Sequence, residues 1–395
     1  MIKRLRVKNF KALRDIEIEL TPIHVLIGPN DSGKTSILDV LAALCRSVDH
    51  DLDQAFLGSW KGVELVWGGN PQAPVIIEVD FDDEIIISYG MNVLFKPQKK
   101  GADSRNEFLN VKVGTSVDPL PFLTGRTWPK YIYDDPSTLE QQQFHEELRR
   151  VHQILVGVHY YRLDPSFLAL PNAPDSKRRF RMESNGFGLA LVLDEILSFD
   201  RKRFDQLEKR FTDIFSRIES IKLQQEPAYL APVDDPERVT TFKKADGKGL
   251  YFKTKENDQL VPASQMSDGT LLVLAYLTIL YLPEPPRLLL IEEPENGVHP
   301  KRLQDILKIL RNLVHEQSHT QVVLTTHSPY VLDLFKPEEV TLCTKLDTGE
   351  IKTTRLSDSP PVMQQLDVFT LGEVWTSEGD EKIAGSKDET ARAKE

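Results

Sequence analysis

Cysteine is nearly missing from this chain: 395 residues hold two, Cys45 and Cys343. Neither has metal-site or redox spacing, which excludes a disulfide scaffold, a zinc module and dithiol chemistry and suits a reducing compartment. Long apolar runs are scarce as well. The longest, Leu271 to Leu282, contains Thr and Tyr and is too short to span a bilayer. The opening Met1-Ile2-Lys3-Arg4-Leu5-Arg6 lacks the apolar stretch of a secretory leader. The chain therefore reads as cytoplasmic, with no membrane partner. Excess positive charge is lacking too: 49 Lys and Arg against 60 Asp and Glu leave a net charge of −11. That argues against coating nucleic acid over the whole surface, while local basic faces stay open. Lys177-Arg178-Arg179-Phe180-Arg181, Arg201-Lys202-Arg203 and Lys243-Lys244 are such clusters. Solvated helix ends explain them as well as a nucleic acid does. There is no internal repeat and no heptad run long enough for an extended coiled coil.

What the chain does have is ordinary apolar content and length for two or three domains, or for one large domain with insertions. Residues 2 to 20 alternate and predict two strands joined by a turn at Lys11-Ala12-Leu13-Arg14-Asp15. Val75 to Val79 and Ile85 to Ile87 predict strands around a hairpin turn at Asp82-Asp83-Glu84. From 96 to 137 the composition is polar and rich in Lys, Asp, Pro and Gly, and predicts a variable loop or a partly disordered insert. Residues 138 to 156 and 187 to 220 read as helical. Short strands are expected around 219–225, 238–243 and 249–253, with Asp246-Gly247-Lys248-Gly249 as a turn. Beyond Ser264 an α/β pattern returns. Leu271 to Tyr281 predicts a helix buried on all sides, Leu288 to Ile291 a buried strand, and Leu303 to Val314 an amphipathic helix. Val322 to Leu324 predicts another buried strand, and Val340 to Cys343 with Ile351 to Thr354 a hairpin. The last 20 or so residues, charged and poor in apolar side chains, predict a frayed tail.

Four motifs carry chemistry. Gly28-Pro29-Asn30-Asp31-Ser32-Gly33-Lys34-Thr35 fits G-x-x-x-x-G-K-[ST] and stands between the apolar run Ile23 to Ile27 and a helical pattern through Ile37, Leu38, Leu41 and Leu44. A strand, a glycine loop and a helix N-terminus form an anion cradle. Lys34 would reach the β- and γ-phosphates of a nucleotide, and the Thr35 hydroxyl would ligate Mg²⁺. Directly after the strand Leu288–Ile291 come Glu292-Glu293-Pro294-Glu295-Asn296. Carboxylates at such a strand end suit Mg²⁺ and an attacking water, so Glu292 is assigned to the metal and Glu293 to general base or orienter of the water. A solvated acidic turn is the plainer alternative. Met266-Ser267-Asp268-Gly269-Thr270 precedes the buried helix; it reads as a helix cap or as a second phosphate-binding N-terminus. Thr325-Thr326-His327-Ser328-Pro329 follows the next strand, where His327 could sense a γ-phosphate or serve the core.

In this order the four motifs resemble the ABC-type ATPases, and most closely the branch of SMC proteins, RecF and the overcoming-lysogenization-defect (OLD) nucleases. The stretches Ile2-Lys3-Arg4-Leu5-Arg6-Val7-Lys8-Asn9-Phe10-Lys11 and Leu290-Ile291-Glu292-Glu293-Pro294-Glu295-Asn296-Gly297-Val298-His299-Pro300 are similar to that branch. Tyr160-Tyr161-Arg162-Leu163-Asp164-Pro165 resembles single-chain ATPases of bacterial phage-defence loci. The resemblance implies an α/β head with a mixed central sheet, an antiparallel N-terminal β-layer and an α+β insertion. It divides the chain into 1–95 and 263–358 for the ATPase head, 96–262 for the insertion, and 359–395 for a C-terminal helix and tail.

The resemblance makes Gly28, Pro29, Asn30, Asp31, Ser32, Gly33, Lys34, Thr35 and Ser36 the Walker A contacts to ATP. It makes Leu288 to Glu293 Walker B, Ser267 to Thr270 the signature, Glu295 to His299 the D-loop, and His327 the switch histidine. Lys34, Glu293 and His327 are then the catalytic set, Thr35 and Glu292 hold Mg²⁺, and Ser267 and Gly269 reach the nucleotide of a second copy. A homodimer or higher homo-oligomer closing on ATP is implied, with a separate effector protein such as a nuclease, or nucleic acid itself, as partner. Three features differ from the wider family. Glu292 stands where Asp is common, and the signature reads Ser-Asp-Gly-Thr. Glu378-Gly379-Asp380 only faintly resembles the opening of the TOPRIM domain that OLD nucleases continue into. A regulatory scaffold with little turnover is the rival reading. A transporter nucleotide-binding subunit fits less well, given the long separation of Lys34 from Ser267. A ring-forming AAA+ motor lacks its arginine-finger and sensor segments here.

Overall fold

The computed structural model describes residues 1–48, 55–56, 62–81, 86–95, 102–113, 116–122, 149–174, 180–230, 243–317 and 319–385. In chain order the elements begin β1 (Ile2–Phe10), β2 (Leu13–Glu19), β3 (Ile23–Ile27), α1 (Lys34–Arg46), β4 (Val75–Phe81), β5 (Ile86–Phe95), β6 (Ala102–Val113), β7 (Ser116–Phe122) and β8 (Val158–Tyr161). Then follow α2 (Leu189–Phe199), α3 (Arg201–Ile214), β9 (Ile218–Leu230), β10 (Lys243–Thr254), β11 (Asn257–Pro262), α4 (Asp268–Leu280) and β12 (Leu288–Glu292). The chain closes with α5 (Pro300–Glu316), β13 (Gln321–Thr325), β14 (Val340–Lys345), β15 (Ile351–Arg355) and α6 (Leu371–Glu378), with one-turn helices between. The chain divides into two compact units, one of 1–159, 287–290 and 319–395, the other of 160–286 and 291–318.

The first unit holds an antiparallel sheet of order β2-β1-β4-β5-β6-β7. On β1, Leu5, Val7 and Phe10 alternate into the core. The other face carries Arg6, which stands opposite Glu17 of β2 and Glu78 of β4. Its guanidinium pairs with Glu17 at 2.9 Å, Glu78 at 3.0 Å and Asp80 at 3.1 Å. The pairs with Glu78 and Asp80 are half-buried, and a one-residue slip of the strand would break them and turn the whole apolar set outward.

The 96–137 loop expectation is corrected: 102–113 and 116–122 are strands, pairing in register as Ser88↔Asn110 and Asn110↔Pro119. Ser104 to Glu107 give β6 no apolar alternation to read, and the two prolines of β7 are tolerated because it is the edge strand. The expected turn at 82–84 and the rest of that stretch lie outside the described residues.

The unit also holds the strands β15-β14-β3-β13 of a second sheet. β3 pairs in parallel with β13 on one side and β14 on the other, and β14 and β15 form the expected antiparallel hairpin. All five residues of β3 and of β13 are buried, as a sheet covered on both faces requires. The frayed tail is corrected for residues up to 385. Helices cover Leu371–Glu378 and Asp380–Ile383, Ile383 is buried, and Trp375 Nε1 donates to Asp380 at 2.7 Å. One apolar residue per turn is enough to dock so short a helix, too weak a pattern to stand out among charges.

In the second unit, the 187–220 helix is two helices broken at Asp200, whose carboxylate caps α3 through the Arg203 amide, and strand β9 begins by Ile218. β9, β10 and β11 form an antiparallel sheet. Asp246 to Gly249 lie inside β10 and are no turn: Gly247 pairs with Glu226. A Cβ on Gly247 would sit 2.2 Å from the Asn172 carbonyl oxygen, so glycine marks a close backbone approach there. Helix α4 is buried on all sides, as its composition predicts, and packs on α5. Among the described residues no helix is long and apolar enough to cross a membrane.

One buried titratable group in the first unit makes stability depend on pH. His24, on β3, bonds Thr21 Oγ1 at 3.1 Å and Thr341 Oγ1 at 3.0 Å. Burial, with help from the positive Arg355, lowers its pKa to about 3. The unfolded chain takes up this proton near pH 6.5, and the native state refuses it until about pH 3. His24 therefore removes stability as pH falls through that window, by about 1.4 kcal/mol per unit. Chemical denaturation at pH 7 and pH 5 should show a gap about 2 kcal/mol smaller in His24→Gln than in the wild type. Equal gaps would refute this assignment.

Candidate functional site

In the first unit the loop after β3 is shaped by its neighbours. Gly28 has φ 136°, and a Cβ there would lie 2.1 Å from the Cys343 carbonyl oxygen of β14. Gly33, with φ 84°, is the N-cap of α1, and a Cβ on it would press on Ile351 at 2.9 Å. Asp31 also has a positive φ, 63°, and pairs with Lys345. No side chain caps α1 and no acidic residue stands in its first turn, so nothing on the helix itself competes with an anion for its first amides. Lys34 is buried, and its ammonium donates to Gly28 O at 3.0 Å, Pro29 O at 2.7 Å and Ser32 Oγ at 3.3 Å. Thr35 is exposed and Ser36 half-buried.

His327 belongs to the same unit and leaves the same sheet edge. Thr325 of β13 pairs with Leu26 of β3, so His327 and Gly28 are each two residues past a paired position on parallel strands. The Thr326 amide donates to Leu26 O at 3.1 Å, and the buried Thr326 hydroxyl accepts from the Ser328 amide at 3.0 Å. His327 is half-buried between these anchors.

The remaining candidates lie in the second unit. Glu292 ends β12 almost fully buried, at 8% exposure. Its Oε1 accepts from Tyr160 Oη at 2.5 Å, and its Oε2 lies 3.6 Å from Arg162 Nε. Glu293 follows with φ 45°, a left-handed backbone that non-glycine residues adopt at a cost of about 1–3 kcal/mol. Its carboxylate accepts from Asn296 Nδ2 at 2.6 Å. Ser267 caps α4: its hydroxyl accepts from the Thr270 amide and lies 2.7 Å from Thr270 Oγ1. Ser267 and Asp268 are exposed, Gly269 buried. A Cβ on Gly297 would meet Asp268 at 3.5 Å, and one on Gly269 would meet Arg302 at 3.5 Å, so the turn after β12 and the start of α4 are packed together. Arg302 is held by Asp305 at 2.9 Å and stacks 4.3 Å over the Phe215 ring.

Residues 23–333 match the family described as AAA domain, putative AbiEii toxin, Type IV TA system. The chain belongs to this family. The match opens at the first residue of β3 and closes just past His327, so it contains every candidate residue above. The chain is also 24% identical over 357 residues to an OLD nuclease from Thermus scotoductus, covering 87% of this chain and 62% of that protein. It thus spans under two thirds of that relative's length. A crystal structure of an Smc head bound to the C-winged helix domain of ScpA aligns over 90% of this chain and 98% of the other, with TM-score 0.53 and 13% identity. That likeness is one of fold, and it gives this AAA-domain protein an SMC-head-like α/β fold.

Sequence reasoning missed Tyr160 and Arg162 as partners of Glu292. Their two-residue spacing, with Tyr160 on β8 beside β12 in the sheet order and Arg162 just past its end, was the available signal. The basic clusters are partly spent inside this AAA-domain protein. Arg201 pairs with Asp205 at 2.9 Å, and Arg203 donates to the Leu282 carbonyl at 2.8 Å. Lys177 to Arg179 and the side chains of Lys243 and Lys244 lie outside the described residues.

The close approach at Gly28 is measurable. Gly28→Ala combines a positive φ with a backbone clash, whereas Gly349→Ala, at φ 82° with nothing within 4 Å of the added Cβ, carries the φ cost alone. Thermal unfolding should show Gly28→Ala losing about 2–3 kcal/mol more than Gly349→Ala. Equal losses would mean that the Cys343 carbonyl does not constrain the loop.

Proposed function

We propose that this chain binds and hydrolyses ATP with Mg²⁺, and that two copies close head-to-head on the nucleotide. The observation that carries the reading is the glycine loop before an uncapped helix, closed on a buried Lys34 ammonium and sharing a sheet edge with His327. The loop oxygens around Lys34 give way to the β- and γ-phosphates of ATP, with Gly28 to Ser36 lining them through the backbone N–H groups of every residue but Pro29. The donors also suit the metal: the Thr35 hydroxyl and the Glu292 carboxylate are hard oxygen ligands, and Mg²⁺ takes one or two such groups beside phosphate and water. When bound, the ion neutralises charge on the phosphates. Glu293, aimed by its left-handed backbone and steadied by Asn296, takes the proton of the attacking water. His327 donates a hydrogen bond to the γ-phosphate.

Ser267 and Gly269, at the N-terminus of α4, serve the second copy. Two positive helix ends face each other favourably only with an anion between them. Moving such an equilibrium from mostly open to mostly closed takes about 5 kcal/mol of differential binding, within reach of several charge-assisted hydrogen bonds. The output of the cycle is action on nucleic acid, or control of a separate effector such as a nuclease, in phage defence or DNA repair. The relation to an OLD nuclease and the toxin–antitoxin wording of the family support this reading.

Three proteins test it. Wild type should bind and turn over ATP, Lys34→Ala should lose nucleotide binding, and Glu293→Gln should bind ATP but lose about 10²–10⁴ in kcat and elute as a dimer with ATP and Mg²⁺. Wild-type protein that binds no ATP would overturn the whole reading. A Glu293→Gln variant that stays monomeric would overturn the dimer.

A further inference from the structure

We infer that Tyr160 and Arg162 are opposed positioning residues for Glu292, Tyr160 holding its carboxylate ready for the metal and Arg162 standing in for the metal until it arrives. The inference rests on the proposed ATP–Mg²⁺ reading and assigns it two residues. Glu292 is buried at the end of a strand, and each of its carboxylate oxygens has its own tenant: the Tyr160 phenol on Oε1 at 2.5 Å, the Arg162 guanidinium 3.6 Å from Oε2.

The chemistry of the two tenants differs. A phenol is a neutral donor that fills one lone pair and leaves the others free, so it can stay while a cation is ligated. It also fixes the extra torsion by which glutamate exceeds aspartate. A guanidinium carries a full positive charge and cannot remain beside a divalent cation without repulsion. The surroundings match this division. Tyr160 and Arg162 are two apart, so both lie on one side of the chain, while Tyr161 between them is buried on the other, where burial holds its phenol protonated well above the usual tyrosine range. The backbone around Arg162 is pinned: its amide donates to Ser184 O at 2.8 Å, and Asp164 caps the next turn through Ser166. The Arg162 side chain, by contrast, is 72% exposed against 9% for that of Glu292, so it can swing away without unpacking anything.

The two residues therefore have opposite signs of effect. Binding of a fluorescent ATP analogue to the full chain, titrated with Mg²⁺, reads them directly, and the same titration in EDTA reads nucleotide affinity without metal. Tyr160→Phe should raise the half-saturating Mg²⁺ about tenfold, the size expected for a lost hydrogen bond to a charged group. Arg162→Ala should lower it severalfold, with Arg162→Lys close to wild type. Affinity in EDTA should be the same in all four proteins. A shared structural role would move both variants the same way, so a raised Mg²⁺ requirement in Arg162→Ala overturns the inference, as does an unmoved requirement in both. Should Arg162→Ala fail to fold, Arg162→Gln is read by the same criterion. Wild-type protein that binds the analogue with no Mg²⁺ dependence overturns the parent assignment of Glu292 to the metal, and this inference with it.

Discussion

A backbone carbonyl sets the path of the glycine loop in the first unit. β3 is clamped between two parallel neighbours, and the oxygen of Cys343 lies where any side chain at position 28 would start. Only glycine can leave the strand there, and it leaves in a conformation that turns the chain sharply. The chain takes a second left-handed step at Gly33, under the side chain of Ile351, and enters the helix at Lys34. Both constraints come from residues more than 300 positions later. A further long-range tie joins the strands at their other end, where the Gln321 side chain exchanges hydrogen bonds with both the amide and the carbonyl of Ile2, at 3.0 and 2.8 Å. The loop is thus formed by the C-terminal strands as much as by its own motif, and its closure waits on contacts of long sequence separation.

The second unit applies the same economy. Gly297, with φ 73°, turns the chain after β12 beside Asp268, and the first turn of α4 lies beside the Arg302 stem. Arg302 is in turn fixed by Asp305 and by stacking on Phe215. The turn after β12 and the first turn of α4 thus lie beside one another within the second unit.

Where periodicity is strong the sequence was legible. β3, α1, α4, β12, α5 and β13 were all expected, because continuous burial or one-sided amphipathicity writes itself into the order of apolar residues. The position of the glycine loop was legible for the same reason: its flanking strand and helix are local. Strands β6 and β7 were not, since backbone pairing holds strands whose side chains show no alternation. The glycines of β10 were misread as a turn because the sequence records that Cβ is absent but not why, and here the reason is the Asn172 carbonyl across the fold. Tyr160 and Arg162 could be seen as a motif but not as partners of Glu292, because nothing local says which strand lies next to which.

On the proposed reading, the charged groups meant for phosphate and metal share one property: each is already held, and each hold is exchangeable. Lys34 rests on loop oxygens, Glu293 on an exposed amide side chain, and Glu292 on a phenol and a solvent-facing guanidinium. Buried charges left bare would cost several kcal/mol each and would relax into unproductive rotamers. Provisional partners remove that cost and fix the direction in which each group points. They also reduce the net gain when the nucleotide replaces them, since every new bond is formed at the expense of an old one. An ATPase that must release its product and reopen benefits from that subtraction, because differential binding, rather than absolute affinity, moves a two-state cycle.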